Sequence, residues 1–497
     1  SRPAAEGAPP QHGGTAVLGS LSDVDSWNEY LSAQDATVNL LRRIYLRLAQ
    51  EGSDERDGPR GYTPLLAASW ESSADGLSWT FRLREASWSD GTPLTARDVR
   101  FTWQAQISSD VPWVGAASKA QISDVEAVDA RTVRFHFKRR YPYQLADAVE
   151  GGILPEHVFG RVPFAEWARH DWSTVHVGSG PFVLESYRPG EELTLARNPR
   201  YFGGDTPHLE RVVVRIVPDM TNLVTQLRAG QLDYLEGIPP REAAGLRQQP
   251  TLHLAAFDYP KADALGWNAA RPPLDDPAVR RALTLAIDRN ALVENLLHGF
   301  GRVSRGPVPS FWWLAARELA PLPYDPDQAR RLLAGRTPKL ELLTNAGNRQ
   351  REEVLVQVQA QLAQVGVRVE VRPLEMRAMR ARVAAGDYDG YLGGWVFSGK
   401  IDLRAIFGSA SRPPAGLNVV GYRSAEVDRL LDAADAAADW PALKAAFDAL
   451  QQRIDADQPY TFLYETQRVA AWGPRLAGVA IDVPSDPLAG LERFSLR

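Results

Sequence analysis

The sequence predicts an α/β protein folded as two lobes, and three observations carry that prediction. At 497 residues the chain is longer than one hydrophobic core serves, so two or three domains are expected. Two series of alternating strands and helices occur, one over 212–235 and one over 340–396, with a change of pattern near 265 between them. Ahead of both lies a stretch of short strands with polar–apolar alternation, joined by Asp-Gly turns, which reads as a small β-rich unit.

Taken in order, Thr15-Ala-Val-Leu18 reads as a strand. Val38, Leu41, Ile44, Tyr45 and Leu48 fall near helical spacing and predict a helix over 35–47. Residues 51–61 are charged and Gly-containing, a loop. Leu65-Leu-Ala-Ala-Ser-Trp-Glu71 precedes an Asp75-Gly76 turn, and Trp79-Thr-Phe-Arg-Leu-Arg84 follows with strict alternation, a half-buried strand. After the Asp90-Gly91 turn, Thr95 with Asp98 three residues on forms a capping pair for a helix through Ile107. Thr132-Val-Arg-Phe-His-Phe137 alternates again. Gly178-Ser-Gly-Pro-Phe-Val-Leu184 and Glu192-Leu-Thr-Leu-Ala-Arg-Asn198 read as paired strands around Pro189-Gly190. A buried strand over 212–217, a helix capped by Asp219 and stopped by Gly230, and Leu232-Asp-Tyr-Leu235 form a β-α-β unit, whose parallel strands normally connect right-handed.

Leu265-Gly-Trp-Asn268 reads as a strand leading away from that sheet. Asp276 and Pro277 then start a helix whose buried face is Val279, Leu283, Ala286, Ile287, Val293 and Leu297, with a break near Asn290. Residues 307–326 are rich in Pro and aromatics and irregular. Strand 340–343, helix 349–364, strand 367–371 and helix 376–385 follow. The next strand, from Asp387, is expected to loosen at Gly393 and Gly394 and to present Trp395 beside a polar run of Ser398, Gly399, Lys400 and Asp402. An aromatic platform beside a few polar groups is what a small-molecule site needs; a strand end with a buried Trp and a solvated loop is the plainer reading. Helices over 425–438 and 440–456 and a strand over 461–464 close the series.

Composition excludes several function classes. Apolar content of 44%, charge of 24% and a net charge of −5 without any basic block argue against a nucleic-acid partner. The chain has no cysteine, which removes thiol catalysis, Cys-ligated zinc and disulfides. Its eight histidines show no metal-ligand spacing, so no metal and no cofactor are expected. Walker A, Gly-x-Gly-x-x-Gly and nucleophile-elbow patterns are missing, because Gly178-Ser-Gly180 has the wrong glycine spacing and leads into a strand. No run of ~18 apolar residues spans a membrane. The first residues, without Met and rich in Pro, Ala and Gly, read as a flexible leader, either of a processed exported chain or of a trimmed cytosolic one. Among fourteen Trp, residues Trp113, Trp267, Trp312, Trp313 and Trp395 lie in Gly- or Pro-flanked sequence; core packing is the ordinary fate of a Trp, but as a group these hint at a stacking surface.

Four stretches carry a family resemblance: the run from Trp79 through Trp88-Ser-Asp-Gly-Thr-Pro-Leu94 to Val99; Gly178-Ser-Gly-Pro-Phe with Arg197-Asn-Pro-Arg-Tyr-Phe202; Pro273 to Arg289, continuing to Gly306-Pro-Val-Pro309; and Asn418 to Leu431. In this order they resemble the extracytoplasmic solute-binding proteins of ABC importers, family 5, which contains dipeptide-, oligopeptide- and nickel-binding members. The resemblance implies the two-lobed periplasmic-binding-protein fold, type II, of the large cluster with an extra β-rich subdomain in lobe 1. Residues 1–264 plus 473–497 then form lobe 1, with the subdomain at about 50–172, and 265–472 form lobe 2, with a cleft between them and crossings near 265–268 and 470–472. The implied function is not enzymatic. A monomeric, periplasmic or otherwise extracytoplasmic protein, lipid-anchored or not in its precursor, closes on a small-molecule or short-peptide ligand and delivers it to an ABC permease in the membrane.

The resemblance also names candidate ligand contacts: Trp395, Ser398, Lys400, Asp402, Trp113, Trp267 and Asn268. In peptide-binding relatives an Asp three residues after the Gly-Trp holds the peptide ammonium, and here that position is Ser398. Asp402 is the substitute anchor, while Lys400 suits an anionic or hydroxyl-rich ligand. Trp113 matches a pocket Trp of the nickel-binding relatives, but the segment 149–155 lacks their chelate-holding Arg, which disfavours nickel. A peptide or peptide-like solute is the first expectation; an oligosaccharide, opine-like or antibiotic-like solute, or a sensor role, is the alternative.

Overall fold

The strand Thr15–Ser20 pairs in parallel on both sides, with Arg211–Ile216 on one and Tyr234–Leu235 on the other. It is the middle of a seven-stranded sheet in the order His253–Phe257, Arg468–Trp472, Tyr234–Leu235, Thr15–Ser20, Arg211–Ile216, Glu192–Arg197, Phe182–Arg188. The computed structural model describes residues 11–52, 58–59, 61–397, 400–483 and 485–497. The β-α-β reading holds, since Asp219 caps Met220–Arg228 by accepting from the Asn222 amide at 2.7 Å and Gly230, at φ +69°, follows its end. Its two parallel strands are not neighbours, however. Thr15–Ser20 lies between them, a pairing over 190 residues of chain that local periodicity cannot announce.

The same unit holds a four-stranded antiparallel sheet, Ala67–Ser72, Ser78–Leu83, Thr132–Phe137 and Ile122–Asp129. The helix Ala96–Ile107 starts with the expected capping box, in which the Asp98 carboxylate accepts from the Thr95 amide at 2.8 Å. The helix expected over 35–47 stops early, at Asp35–Leu41. The Ile44 carbonyl accepts instead from the Ser179 and Gly180 amides at 2.9 and 2.7 Å, so tertiary hydrogen bonds to the Gly178–Gly180 turn replace helical ones. A Cβ on Gly180 would lie 2.3 Å from the Arg43 carbonyl oxygen, which is why only glycine lets that turn approach. Residues 469–497 complete this unit: Arg475 pairs with Asp233 at 2.6 Å and Arg43 with the buried Asp486 at 2.6 Å.

The second unit, 256–468, is built on a six-stranded sheet in the order Gly301–Val303, Tyr460–Thr466, Lys261–Trp267, Gly390–Val396, Lys339–Asn345, Arg368–Leu374. The expected crossing at 265–268 is corrected here. Lys261–Trp267 is a central strand, antiparallel to both neighbours, and the division between units falls at 255/256 and 468/469. Buried Asp263, ion-paired with Lys261 and Arg351, breaks the apolar pattern of that strand and hides its true start. Helix Pro277–Leu285 begins as expected, with Asp276 accepting from the Ala278 amide at 2.8 Å, and the expected break near Asn290 falls at 286–288, where Asp288 caps a second helix, Arg289–Leu296. Helices Pro277–Leu285 and Arg349–Ala363 contribute to the core on one face of the sheet, where Leu283, Val354, Val358, Leu342, Leu392 and Trp267 are fully buried. Each such side chain contributes ~1.5–3 kcal/mol by leaving water.

Gly390–Val396 does not loosen at Gly393 and Gly394 but pairs through them, Gly393 with Ala264 and Gly394 with Asp263. A Cβ on Gly394 would sit 2.5 Å from the Ala262 carbonyl oxygen, and one on Gly393 2.6 Å from the Tyr391 ring. These glycines permit close approach, not a bend.

Candidate ligand-binding site

Strand side chains alternate between faces, and in the second unit this sorts its aromatic residues. Trp267, Leu392 and Thr461 face the helical core. On the other face Tyr391 and Tyr460 lie opposite Gly266, Phe462 opposite Ala264, and Trp395 opposite Ala262. Large rings thus lie over a strip of Ala262, Ala264, Gly266 and Gly393. A Cβ on Gly266 would meet the Tyr391 ring at 2.5 Å and the Tyr460 ring at 2.8 Å. Trp395 stands edge-on to Tyr460, centroids 4.8 Å apart, and stays half-exposed, beside Val396 at 54% exposure. This is an aromatic shelf with an open end.

The other second-unit candidates separate. Trp267 is fully buried, its indole N–H donating to Thr461 Oγ1 at 3.0 Å, and Asn268 donates to the Gly386 and Tyr388 carbonyls at 3.0 and 2.9 Å. Both are core residues, contrary to expectation. Asp402 is exposed and caps Leu403–Phe407 by accepting from the Ala405 amide at 3.0 Å, a role that uses one of its oxygens. Lys400 is half-buried, and Ser398 lies outside the described residues. Sequence reasoning missed a charged cluster on the strand of Trp267: Asp263 receives Lys261 at 2.9 Å and Arg351 at 3.1 Å on the helix-covered face, opposite to the face of Trp395.

In the first unit, the rule that α/β sheets bind at the carboxyl ends of their strands points to the loops after Ser20, Ile216 and Leu235. A cavity of about 60 Å³ opens there, lined by Ser20, Ser22, Asp23, Ile216, Tyr234 and Glu236 among others. Asp23 is positioned by the Tyr187 hydroxyl at 2.9 Å and the Gly190 amide at 2.7 Å, both donating to it. Tyr234 is 1% exposed, and its hydroxyl makes no hydrogen bond among the described residues. Burial, then the nearby Glu236 charge, raises its pKa well above the ordinary phenol value, so it remains a donor. At roughly 30 Å³ per water this space holds an ammonium-sized group, not a whole solute.

Trp113 is also in the first unit, half-exposed, edge-on to Tyr30 at 5.2 Å with the Lys119 ammonium 5.7 Å over its ring. The neighbouring segment holds no anion clamp. Gly152 donates its amide to the buried Glu29 carboxylate at 3.0 Å, and its carbonyl accepts from the Tyr30 hydroxyl at 2.6 Å. A Cβ on Gly152 would lie 2.6 Å from that carboxylate. Burial holds the Glu29 carboxyl above its ordinary range. A larger open cavity of about 600 Å³ in the second unit, lined by Arg280, Arg412, Arg423 and Arg453, lies past Trp267, at the strand end away from Trp395. Two of its cations are engaged, Arg280 with the Leu274, Asp457 and Gln458 carbonyls and Arg453 with Asp457. Among the described residues one trio of side chains has metal-ligand proximity, His12, Asp205 and His208, at the amino-terminal edge of the first sheet.

Comparison with known proteins gives these surfaces a context. A family model for bacterial extracellular solute-binding proteins, family 5 Middle, matches residues 61–408, more than two thirds of the chain. The oligopeptide-binding protein AppA of Bacillus subtilis (strain 168) is 29% identical over 510 residues, covering 98% of this chain and 92% of that protein. The structure of that AppA in complex with a nonapeptide aligns with a TM-score of 0.77 at 28% identity, covering 98% of this chain and 100% of the other. The probable D,D-dipeptide-binding periplasmic protein DdpA of Escherichia coli (strain K12) is 26% identical over 93% of this chain and 90% of its own length. The ABC transporter substrate binding protein CtaP of Listeria monocytogenes shares the fold at a TM-score of 0.86 and 21% identity, covering 98% of this chain and 100% of the other. No helix among the described residues is long and apolar enough to cross a membrane. The chain belongs to the family 5 extracellular solute-binding proteins, the substrate-binding components of ABC importers, and has their two-lobed fold.

Proposed function

We propose that this protein captures a peptide or peptide-like solute outside the cytoplasm and presents it to an ABC permease, acting as a monomer and without catalysis. The observation that carries this reading is an acidic cavity in the first unit. The acidic, ammonium-sized cavity of Asp23, Tyr234 and Glu236 suits an amino terminus. In the second unit, taken by itself, the half-exposed Trp395 shelf suits apolar and aromatic side chains. Moving the ammonium contact to Asp23 and Glu236 also accommodates a serine at position 398, because a buried ammonium with no carboxylate would cost several kcal/mol. Likeness to oligopeptide- and dipeptide-binding proteins supports the same reading.

The mechanism is capture with closure: the solute binds the closed arrangement more tightly than the open one and shifts the population by that difference. Native mass spectrometry of the protein as purified, followed by titration with a tri- to pentapeptide library, tests the cargo. Tight peptide binding that N-acetylation weakens at least tenfold is expected. A co-purified saccharide or opine with no peptide binding would replace the reading with the non-peptide one. Small-angle scattering that shows no compaction with a saturating peptide would overturn closure.

A further inference from the structure

His12 and His208 are 196 positions apart, yet their rings stand edge-on with centroids 5.1 Å apart. Backbone pairing brings them together. The Gly13 amide donates to the His208 carbonyl at 2.8 Å, and the Glu210 amide donates to the Gly14 carbonyl at 3.0 Å, just before Thr15 and Arg211 begin their parallel strands. Asp205 reaches both rings, its Oδ1 3.1 Å from His12 Nε2 and its Oδ2 3.9 Å from His208 Nε2. All three donor atoms fit within 4.8 Å of one another. In a tetrahedral site with bonds of about 2.0–2.1 Å, donors stand ~3.3 Å apart, a spacing that the 3.1 and 3.9 Å separations from Asp205 bracket.

His208 is prepared for that role. Its Nδ1 lies 3.1 Å from the Arg493 carbonyl oxygen, which can only accept, so Nδ1 carries the proton and Nε2 keeps its lone pair toward Asp205. The ring is held by its backbone as well, since the His208 amide donates to the Glu492 carbonyl at 3.1 Å and its own carbonyl accepts from Arg197 at 2.7 Å. His208 is buried, while His12 and Asp205 are exposed and can adjust. One buried imidazole, one exposed imidazole and one exposed carboxylate leave a fourth position to water.

We propose that His12, Asp205 and His208 form a binding site for a divalent borderline metal ion such as Zn²⁺. Two imidazoles and one carboxylate favour the zinc end of the divalent series over Mg²⁺ or Ca²⁺, which take oxygen ligands. The site is separate from the acidic cavity, because it precedes Thr15 and Arg211, whereas that cavity follows Ser20 and Ile216 at the other end of the same strands. Six residues of strand span ~20 Å. A bound ion clips the segment ahead of the first strand onto the loop between Glu192–Arg197 and Arg211–Ile216.

Titration calorimetry with Zn²⁺ alone on the whole protein, with Co²⁺ absorption as a coordination probe, tests this. One Zn²⁺ per chain is expected, with affinity at least tenfold lower in His12→Ala and in Asp205→Asn and unchanged in His136→Ala. Both test variants alter exposed side chains and keep the fold. Zn²⁺ should raise Tm in the parent protein and not in His12→Ala. Mg²⁺ should neither bind nor stabilise. Zn²⁺ bound with equal affinity by the parent and by the His12→Ala/Asp205→Asn double variant, or not bound by the parent, would overturn the proposal.

Discussion

Two Gly-Trp pairs stand on adjacent strands of the same sheet, Gly266-Trp267 and Gly394-Trp395, and meet opposite fates. Trp267 is fully buried with its indole N–H satisfied; Trp395 is half-exposed against Tyr460. Residue type and local sequence are nearly the same in both. The register decides: Trp267 pairs with Gly390 and points into the helix-covered face, whereas Trp395 pairs with Ala262 and points to the other. The glycines differ accordingly. Gly266 makes room for the Tyr391 and Tyr460 rings, and Gly394 admits the Ala262 carbonyl. A Gly-Trp pair therefore ends in the core or half-exposed according to the face it lands on.

The largest break in that comparison is expected from Trp267→Ala. Emptying a fully buried Trp site costs about 3–5 kcal/mol, read as a lower urea midpoint with an unchanged slope. A loss under 1 kcal/mol would mean the two tryptophans are not distinguished by the core. Gly266→Ala comes next. Its methyl meets three side chains on the shelf face, Tyr391, Tyr460 and Val420, at 2.5–2.9 Å. An overpacking loss of about 1–3 kcal/mol is expected, with an altered near-UV dichroism as the rings shift. Trp395→Ala should cost only about 1 kcal/mol, the scale of one aromatic pair, while lowering solute affinity at least tenfold by calorimetry. Unchanged affinity would remove the shelf from the site.

How much of this was legible follows the same division. The capping box at Thr95 and Asp98, the Asp219 and Asp276 caps and the alternating strands were readable because each is set by residues within a turn or a strand of one another. The motif singled out Trp395, and the structure leaves that residue half-exposed. Trp267 and Asn268 were misplaced because burial is decided by strands that pair from 390 and 460. The 35–47 helix was overextended because its last turn is rewritten by amides from 179 and 180. The cavity at Asp23 and Glu236 depends on strand order in space, and the His12–Asp205–His208 trio on a clasp between distant segments. Neither leaves a spacing in the chain.

The smallest effect tests the strand that serves both faces. Tyr460–Thr466 supplies Thr461 to Trp267 and Tyr460 to Trp395, and near its end lies Glu465, 2% exposed. Its carboxylate accepts from the Ser310 amide at 2.8 Å and the Ser310 hydroxyl at 2.7 Å. Burial nonetheless outweighs these bonds and the Arg302 charge and holds the carboxyl above its ordinary range. The folded state then binds this proton more tightly than the unfolded chain. The stability it contributes is fully present below the ordinary carboxylate pKa and is lost as pH rises through the raised folded value. Glu465→Gln removes that slope, so across denaturant midpoints from pH 4 to pH 7 the parent should lose ground steadily to the variant. A difference that stays constant would show that folding leaves the Glu465 carboxyl unshifted, and one that moves the other way would show it ionised and stabilising where it lies. In either case Trp267→Ala should remain destabilising at every pH, because the cavity it leaves titrates nothing.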